Sequence, residues 1–379
     1  MNDVSRDASG LRRLIATENF RSAVDLSRLL LEQASHRDAD GGSSTRLSPT
    51  TLRLWTTRLT LMMTKLHLYP AVEAELTAFG DFDRPDLYFD FYPAGVFPSS
   101  ASGSMVPFAL RVLRAELPAH LGKPEETLDR LFGLHAVVDA MIANLERGLT
   151  AEGEEVAEKE EKDPASPEMV DEATAAALET WRRRRMNLLY AISNALLLTK
   201  DVDSSVAICD RIVVEESEGS RKSAVLSSAG RILLQIGDVG GAADYFARAE
   251  AVLDDDSTSA ASRAMKLTHR GYLSIGAGRF DEALRHFRQA SALTPDDAVA
   301  ANNVACALVY LGSLKEAVAT LRSLVESDPR RNLHEGVVFN LATLFELESS
   351  GAGERKRELL GLVARHKGDG FSPQCLKIG

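Results

Sequence analysis

Cysteine is scarce: three residues in 379, Cys209, Cys306 and Cys375. An odd number so widely spaced supports neither a disulfide framework nor a zinc site, and it points to a reducing, cytosolic setting. Positive charge is in deficit too, 44 Lys and Arg against 55 Asp and Glu, for a net charge of −11. A nucleic-acid binder would show a basic face, and an anionic membrane would call for a polybasic patch, so both partners are disfavoured. The N-terminus has no apolar core of the kind a secretory signal needs. The longest apolar stretch, residues 188–198, is broken by Ser193 and Asn194 and is too short to cross a bilayer. Catalytic patterns are missing as well. The eight histidines include no HExxH and no pair four apart, and no GxSxG occurs. Residues 350–356, SGAGERK, lack the second Gly before Lys and the Ser or Thr after it that a phosphate loop requires, so they read as a turn. His334 and Glu335 read as a helix start. No catalytic, metal or cofactor residues are expected, and the chain is not expected to be an enzyme.

What is present is a repeat. Gly278, Ala283, Phe287 and Pro295 recur as Gly312, Ala317, Leu321 and Pro329, each thirty-four positions on, with Gly271 and Ala305 equivalent before them. That period, with small residues, a turn, a bulky residue and a closing Pro, is the tetratricopeptide signature. Phe280, Ala283, Leu284, Phe287, Ala290 and Leu293 recur at steps of three and four, the apolar stripe of one amphipathic helix, and Leu314, Ala317, Val318, Leu321, Leu324 and Val325 repeat it. Gly271 inside a helix costs about 1 kcal/mol against Ala, so close helix–helix approach is expected there. Pro295 and Pro329 end the second helix of each pair.

Weaker copies phase with these. Gly230, Gly237, Ala242, Phe246 and Ala249 form one, with Asp254 in the Pro place and a short insert at 255–259. Ser193, Lys200, Ser205, Cys209 and Ile212 form another. Ala342, Phe345, Leu347, Leu359, Leu360 and Val363 read as a shortened last pair. The fold class is therefore all-α, a tetratricopeptide helical-hairpin solenoid, with about five pairs toward the C-terminus.

The expected division is an N-terminal helix pair at 1–37, a polar linker at 38–50, an irregular helical region at 51–150, an acidic mobile linker at 151–180 and the array at 181–379. The Glu-rich linker has too few apolar residues to offset its ordering entropy. Residues 80–93, GDFDRPDLYFDFYP, form no helix and read as an ordered aromatic loop of the kind that carries contacts. Its candidate partner-binding residues are Asp83, Arg84, Tyr88, Phe89, Phe91 and Tyr92. On the array, Met265, Tyr272, Asn302, Cys306 and Val309 form a mostly uncharged groove suited to a helix or an extended peptide. The arginines at 182–185 read as a solvated helix start, with a docking point for an acidic partner as the sharper reading.

Five blocks carry a family resemblance: residues 80–93, 104–131 (SMVPFALRVLRAELPAHLGKPEETLDRL), 302–312 (NNVACALVYLG), 328–349 (DPRRNLHEGVVFNLATLFELES) and 368–379 (GDGFSPQCLKIG). They resemble the subunit 12 family of the trafficking protein particle (TRAPP) complex, from about Leu52 to the C-terminus. Animal members carry a longer N-terminal extension, which this chain is expected to lack. The resemblance implies a non-catalytic scaffold in the larger, third-form TRAPP assembly, a tether and Rab nucleotide-exchange factor in ER-to-Golgi transport and autophagy. It implies other TRAPP subunits as partners, especially the large peripheral ones, with a Rab GTPase met only indirectly. Localisation would be cytoplasmic, peripheral to ER–Golgi intermediate and Golgi membranes, without direct membrane insertion. The alternative is a chaperone-type or membrane-coat adaptor outside TRAPP. A chaperone adaptor needs a Lys/Asn clamp, and Thr268 and Tyr272 stand in its places with only Asn303 matching.

Overall fold

The computed structural model describes residues 4–40, 48–93, 95–98, 102–151, 167–253, 259–348 and 351–378. Among them every regular element is helical, and the only strand-like feature is one antiparallel bridge between Tyr88 and Ser104. Packing divides the chain into two units. The first comprises Met1–Arg13 and Arg21–Glu215, the second Leu14–Phe20 and Glu216–Gly379.

The N-terminal helices are α1 (Ala8–Ala16), α2 (Phe20–Asp40), α3 (Pro49–Thr64) and α4 (Tyr69–Phe79), followed by α5 (Phe108–His120), α6 (Pro124–Glu146), α7 (Pro167–Leu198) and α8 (Val202–Glu215). Leu131, Val138 and Ile142 of α6 meet Leu188, Ile192 and Ala195 of α7 in the core of the first unit. The second unit holds α9 (Gly219–Gln235), α10 (Val239–Ala251), α11 (Ala260–Gly276), α12 (Phe280–Leu293), α13 (Ala298–Tyr310), α14 (Leu314–Ser327), α15 (Pro329–Asn332), α16 (Glu335–Glu348) and α17 (Ala352–His366).

One turn recurs along the chain. At Gly278, φ is +72°; its N–H reaches the Ile275 carbonyl at 2.9 Å, and the Arg279 N–H reaches Ser274 at 2.8 Å. These bonds satisfy carbonyls left open at the end of α11. Gly237 and Gly312 repeat the geometry between α9 and α10 and between α13 and α14, and Gly122 repeats it between α5 and α6. Lys200 adopts the same conformation between α7 and α8, with φ +62° and bonds of 3.1 and 3.0 Å. A Cβ in that region crowds the following carbonyl. The turn therefore extends the repeat to α7 and α8 although the glycine itself is missing.

A second regularity lies inside each pair. A Cβ on Gly271 would sit 2.3 Å from Phe287 Cε1, and one on Gly230 would sit 2.6 Å from Phe246 Cε1. Both phenylalanines are fully buried. Where the bulky partner is Leu, the small one has become Ala: Ala305 with Leu321, both buried in one core cluster. In α7 and α8 the pair is Ser193 and Cys209, whose Oγ and Sγ are 3.6 Å apart.

Several expected boundaries fall elsewhere. Helix α7 starts at Pro167, inside the range read as linker, because its apolar positions continue N-terminally; residues 152–166 lie outside the described ones, as do 41–47 in the polar linker, Asp254 and residues 255–258 of the insert. Helices α7 and α8 pack with α5 and α6, so the two units meet in sequence at Glu215 and Glu216 and not near 181. The arginines at 182–185 lie mid-helix. Arg182 pairs with Glu146 at 3.0 Å, Arg185 with Glu215 at 3.1 Å, and Arg184 stacks 4.2 Å over Trp181. Three of the four thus have partners within the fold. Pro329 does more than end α14: it opens α15 at a position where its missing N–H costs nothing. In the 350–356 segment, Lys356 is buried against Glu346 and the Lys377 carbonyl.

The last residues fasten the second unit. Asp369 Oδ1 accepts the Phe20 N–H at 2.7 Å, and the Asp369 N–H reaches the Glu18 carbonyl at 3.3 Å, so residues 18–20 are tied to the unit they share with Asp369. Gly368 lies so close to Glu18 that a Cβ would stand 2.4 Å from its Cβ and carbonyl oxygen.

Two stability measurements check these regularities. Gly271→Ala is expected to cost about 1–3 kcal/mol by overpacking, and adding Phe287→Leu, which reproduces the Ala/Leu pair of the next hairpin, should recover most of that loss in a denaturant-melt double-mutant cycle. Lys200→Gly should raise stability by roughly 0.5–1 kcal/mol, since glycine takes the left-handed turn without strain.

Candidate interaction site

Two surfaces hold the expected partner-binding residues, one in each unit. The first is the aromatic loop between α4 and α5. Pro85 opens a 3-10 turn, Pro85–Leu87, and a second, Phe89–Phe91, follows directly. Phe82 and Leu87 are buried and anchor it. The Phe89 N–H bonds the Gly103 carbonyl at 3.0 Å and the Met105 N–H bonds Leu87 at 2.8 Å, so the loop pairs with the strand-like entry to α5.

Two arginines of α5 reach up into the loop. Arg111 pairs with Asp83 at 2.8 Å and also donates to the Phe82 carbonyl at 3.3 Å and to Ser104 Oγ at 3.2 Å. Arg114 donates to the Gly80 carbonyl at 3.1 Å and lies 4.6 Å over the Phe82 ring. The hydrogen bond from Arg111 holds the Asp83 carboxyl below its usual range. Tyr88 donates its hydroxyl to Asp83 at 3.1 Å, and burial raises its pKa. Arg84 lies 5.1 Å over Phe79, which stacks on Trp55 at 4.6 Å. Tyr92 donates to the Asp86 carbonyl at 2.9 Å, and Phe89 and Tyr92 both meet Phe97 edge-on. Five of the six candidates, Asp83, Arg84, Tyr88, Phe89 and Tyr92, therefore build the loop. Phe91 is different: it is 59% exposed and held only edge-on by Tyr92. The loop is a braced platform that leaves one aromatic side chain facing solvent.

The second surface lies on α11 and α13. Met265, Tyr272, Asn302, Cys306 and Val309 are all half-buried. Their polar atoms tie neighbouring helices together. Asn303 Nδ2 donates to the Tyr272 hydroxyl at 3.1 Å, Asn340 Nδ2 to Asn302 Oδ1 at 2.7 Å, and Ser223 Oγ to Met265 Sδ at 3.5 Å. Burial raises the Cys306 thiol pKa, which keeps it protonated. Asn303, which matches one place of a carboxylate clamp, is committed to Tyr272, and Thr268 bonds back to the Ala264 carbonyl at 2.9 Å. What these helices offer is apolar surface.

A buried network beside them has no local signature in the sequence. His269 Nδ1 lies 3.0 Å from Glu250 Oε1 and Nε2 lies 3.0 Å from Ser227 Oγ, while the ring stacks on Phe246 at 4.2 Å. The order Ser–His–Glu is that of a nucleophile, a base and an orienting acid. Ser227, however, sits in the middle of α9, where backbone N–H groups are committed to the helix ladder and cannot serve an oxyanion. The network joins α9, α10 and α11. Its three residues come from three helices, so no spacing could have announced it. Among the described residues no group of three or more His, Cys, Asp or Glu could hold a metal ion, and no helix is long and apolar enough to cross a membrane.

The helical hairpins and their turns define a class. Residues 274–336 match the family model described as tetratricopeptide repeat, and the chain is a tetratricopeptide-repeat protein. Over 377 residues it is 39% identical to trafficking protein particle complex subunit 12 of Mus musculus, covering 100% of this chain and 45% of that protein. The Homo sapiens subunit 12 is 39% identical over 379 residues, 100% of this chain and 49% of that protein. The chain belongs to the subunit 12 family over the segment they share, and the match includes the first fifty residues as well as the blocks from Leu52 onward. It spans about half the length of these curated relatives. Among solved structures, the anaphase-promoting complex hetero-tetramer Cut9–Hcn1 covers 100% of this chain and 56% of its own, at a TM-score of 0.36 and 10% identity.

Burial lowers the pKa of His269, against an opposing effect of Glu250, and it lowers those of His135 and His120 as well. The unfolded chain binds these protons first. Stability is thus complete above the ordinary histidine value of 6.5 and is lost as pH falls below it, by at most about 1.4 kcal/mol per pH unit for each histidine. Urea melts between pH 7.5 and 5 should show that decline, and His269→Gln should make it shallower.

Proposed function

We propose that the chain is a non-catalytic scaffold subunit of a TRAPP complex, specifically the larger third-form assembly that tethers vesicles and serves a Rab GTPase as exchange factor. The observation that carries this reading is 39% identity to subunit 12 along the entire chain. In this role the chain holds the large peripheral subunits together, while exchange chemistry belongs to small core subunits of another fold. It works in ER-to-Golgi transport and autophagy, and sits peripherally on those membranes through the complex.

The surface chemistry supports a role in contacts. A platform braced by Arg111 and Arg114 presents Phe91 with little freedom to lose, and rigid aromatic anchors are the side chains that dominate interfaces. The inner helices offer Met265, Val309 and their neighbours with polar atoms already paired. The chaperone-adaptor alternative has no observation in its favour, because the clamp positions are occupied by Thr268 and Tyr272.

Native affinity purification of the tagged chain, followed by size-exclusion chromatography and mass spectrometry, tests the proposal. Co-elution with TRAPP core and large peripheral subunits in fixed ratio is expected; recovery with chaperones or alone would overturn it. Phe91→Ala should weaken co-elution by tenfold or more while changing the stability of the isolated chain by less than about 0.5 kcal/mol. Loss of stability instead would make Phe91 a core residue and end its contact role.

A further inference from the structure

Among the described residues, helix α6 buries one side against α5 and α7 and leaves another exposed. Phe132 is 46% exposed and Val137 50% exposed, and Gly133, Ala136 and Ala140 are exposed beside them. A side chain on Gly133 would meet nothing within 4 Å. At 100° per residue, Glu125, Asp129, Phe132, Ala136, Ala140, Ala143 and Arg147 fall within about 40° of one line down the helix. That line is acidic at its N-terminal end, apolar along its middle and basic at its C-terminal end.

We propose that this face of α6 binds the same face of a second copy, antiparallel, about a two-fold axis at Ala136. The assignment goes beyond the TRAPP reading and does not depend on it. The pattern is self-complementary about that residue. Counting outward, Phe132 of one copy faces Ala140 of the other, so the one bulky side chain meets a small one. Asp129 faces Ala143, and Glu125 faces Arg147, so acid meets base at both ends. A parallel arrangement would set Glu125 and Asp129 against their own copies. Ala136 on the axis lets the two helices approach closely, and a two-fold contact uses the same patch on both partners. The patch is one helix wide and buries less than the roughly 800 Å² per partner of a standard interface. The dimer is therefore weak, dissociating on dilution through the micromolar range.

Sedimentation velocity of the purified full chain across that range tests the proposal. A concentration-dependent shift from monomer to dimer is expected. Ala136→Glu, an exposed position, should raise the dissociation constant at least tenfold with helix content unchanged. Arg147→Glu should weaken the dimer, and Glu125→Arg added to it should restore it. Ala136→Cys should cross-link to itself under mild oxidation, while Ala261→Cys, exposed on α11, should not. A chain that stays monomeric at several hundred micromolar overturns the proposal, and so does a dimer indifferent to Ala136→Glu and to the charge swap. Neither result bears on TRAPP membership, which the co-elution experiment decides.

Discussion

Everything in this chain rests on how closely two helices of a hairpin can approach. Gly230 and Gly271 let a phenylalanine ring lie directly on a helix backbone, at distances a Cβ would forbid. The helix-breaking cost of glycine, about 1 kcal/mol, is outweighed by burial of a whole aromatic side chain, about 1.5–3 kcal/mol. The next hairpin reaches the same end with Ala and Leu, and α7 and α8 with Ser and Cys. Where the ring gives way to the smaller Leu321, the residue opposite grows from Gly to Ala305. That constraint fixes hairpin spacing, which lets the successive hairpins of the second unit stack.

On that frame the polar groups have structural work. Asn302, Asn303, Asn340, Tyr272, Ser227 and His269 reach from one helix to the next, each satisfied by a neighbour. A buried polar group without a partner costs more than a paired one contributes, so these bonds specify which helix lies beside which. The same economy shapes the aromatic loop. Its acidic and aromatic residues, which in sequence suggest a broad contact surface, mostly hold the loop onto Arg111 and Arg114.

Much of the fold was legible because tetratricopeptide hairpins write their geometry into fixed spacings. Gly278 and Gly312 mark turns, Phe287 and Leu321 mark bulky positions, and each needs only a count along the chain. Lys200 shows where this reading weakens. The turn survives there without its glycine, and only backbone geometry reveals the equivalence. The division into units was harder still, because the continuing helix periodicity of α7 does not say that its partners are α5 and α6. Packing within the loop was not legible in the same way: the sequence pattern cannot separate Phe91, which faces solvent, from Phe89, two residues earlier, which packs on Phe97. His269 was invisible for a simpler reason. Its partners are nineteen and forty-two positions away, at distances no motif encodes.

The hydrogen bond between Phe20 and Asp369 has a consequence for synthesis. Phe20 and Asp369 are 349 positions apart. At roughly 5–20 residues per second on the ribosome, Phe20 is made roughly 20–70 s before Asp369. Through that interval the hairpins of a nearest-neighbour array can form in order as they emerge, because each needs only local contacts. The hydrogen bond from the Phe20 N–H cannot form with them. That bond waits for Asp369 to be made, so the contact that holds Glu18 and Phe20 in the second unit is among the last to form there.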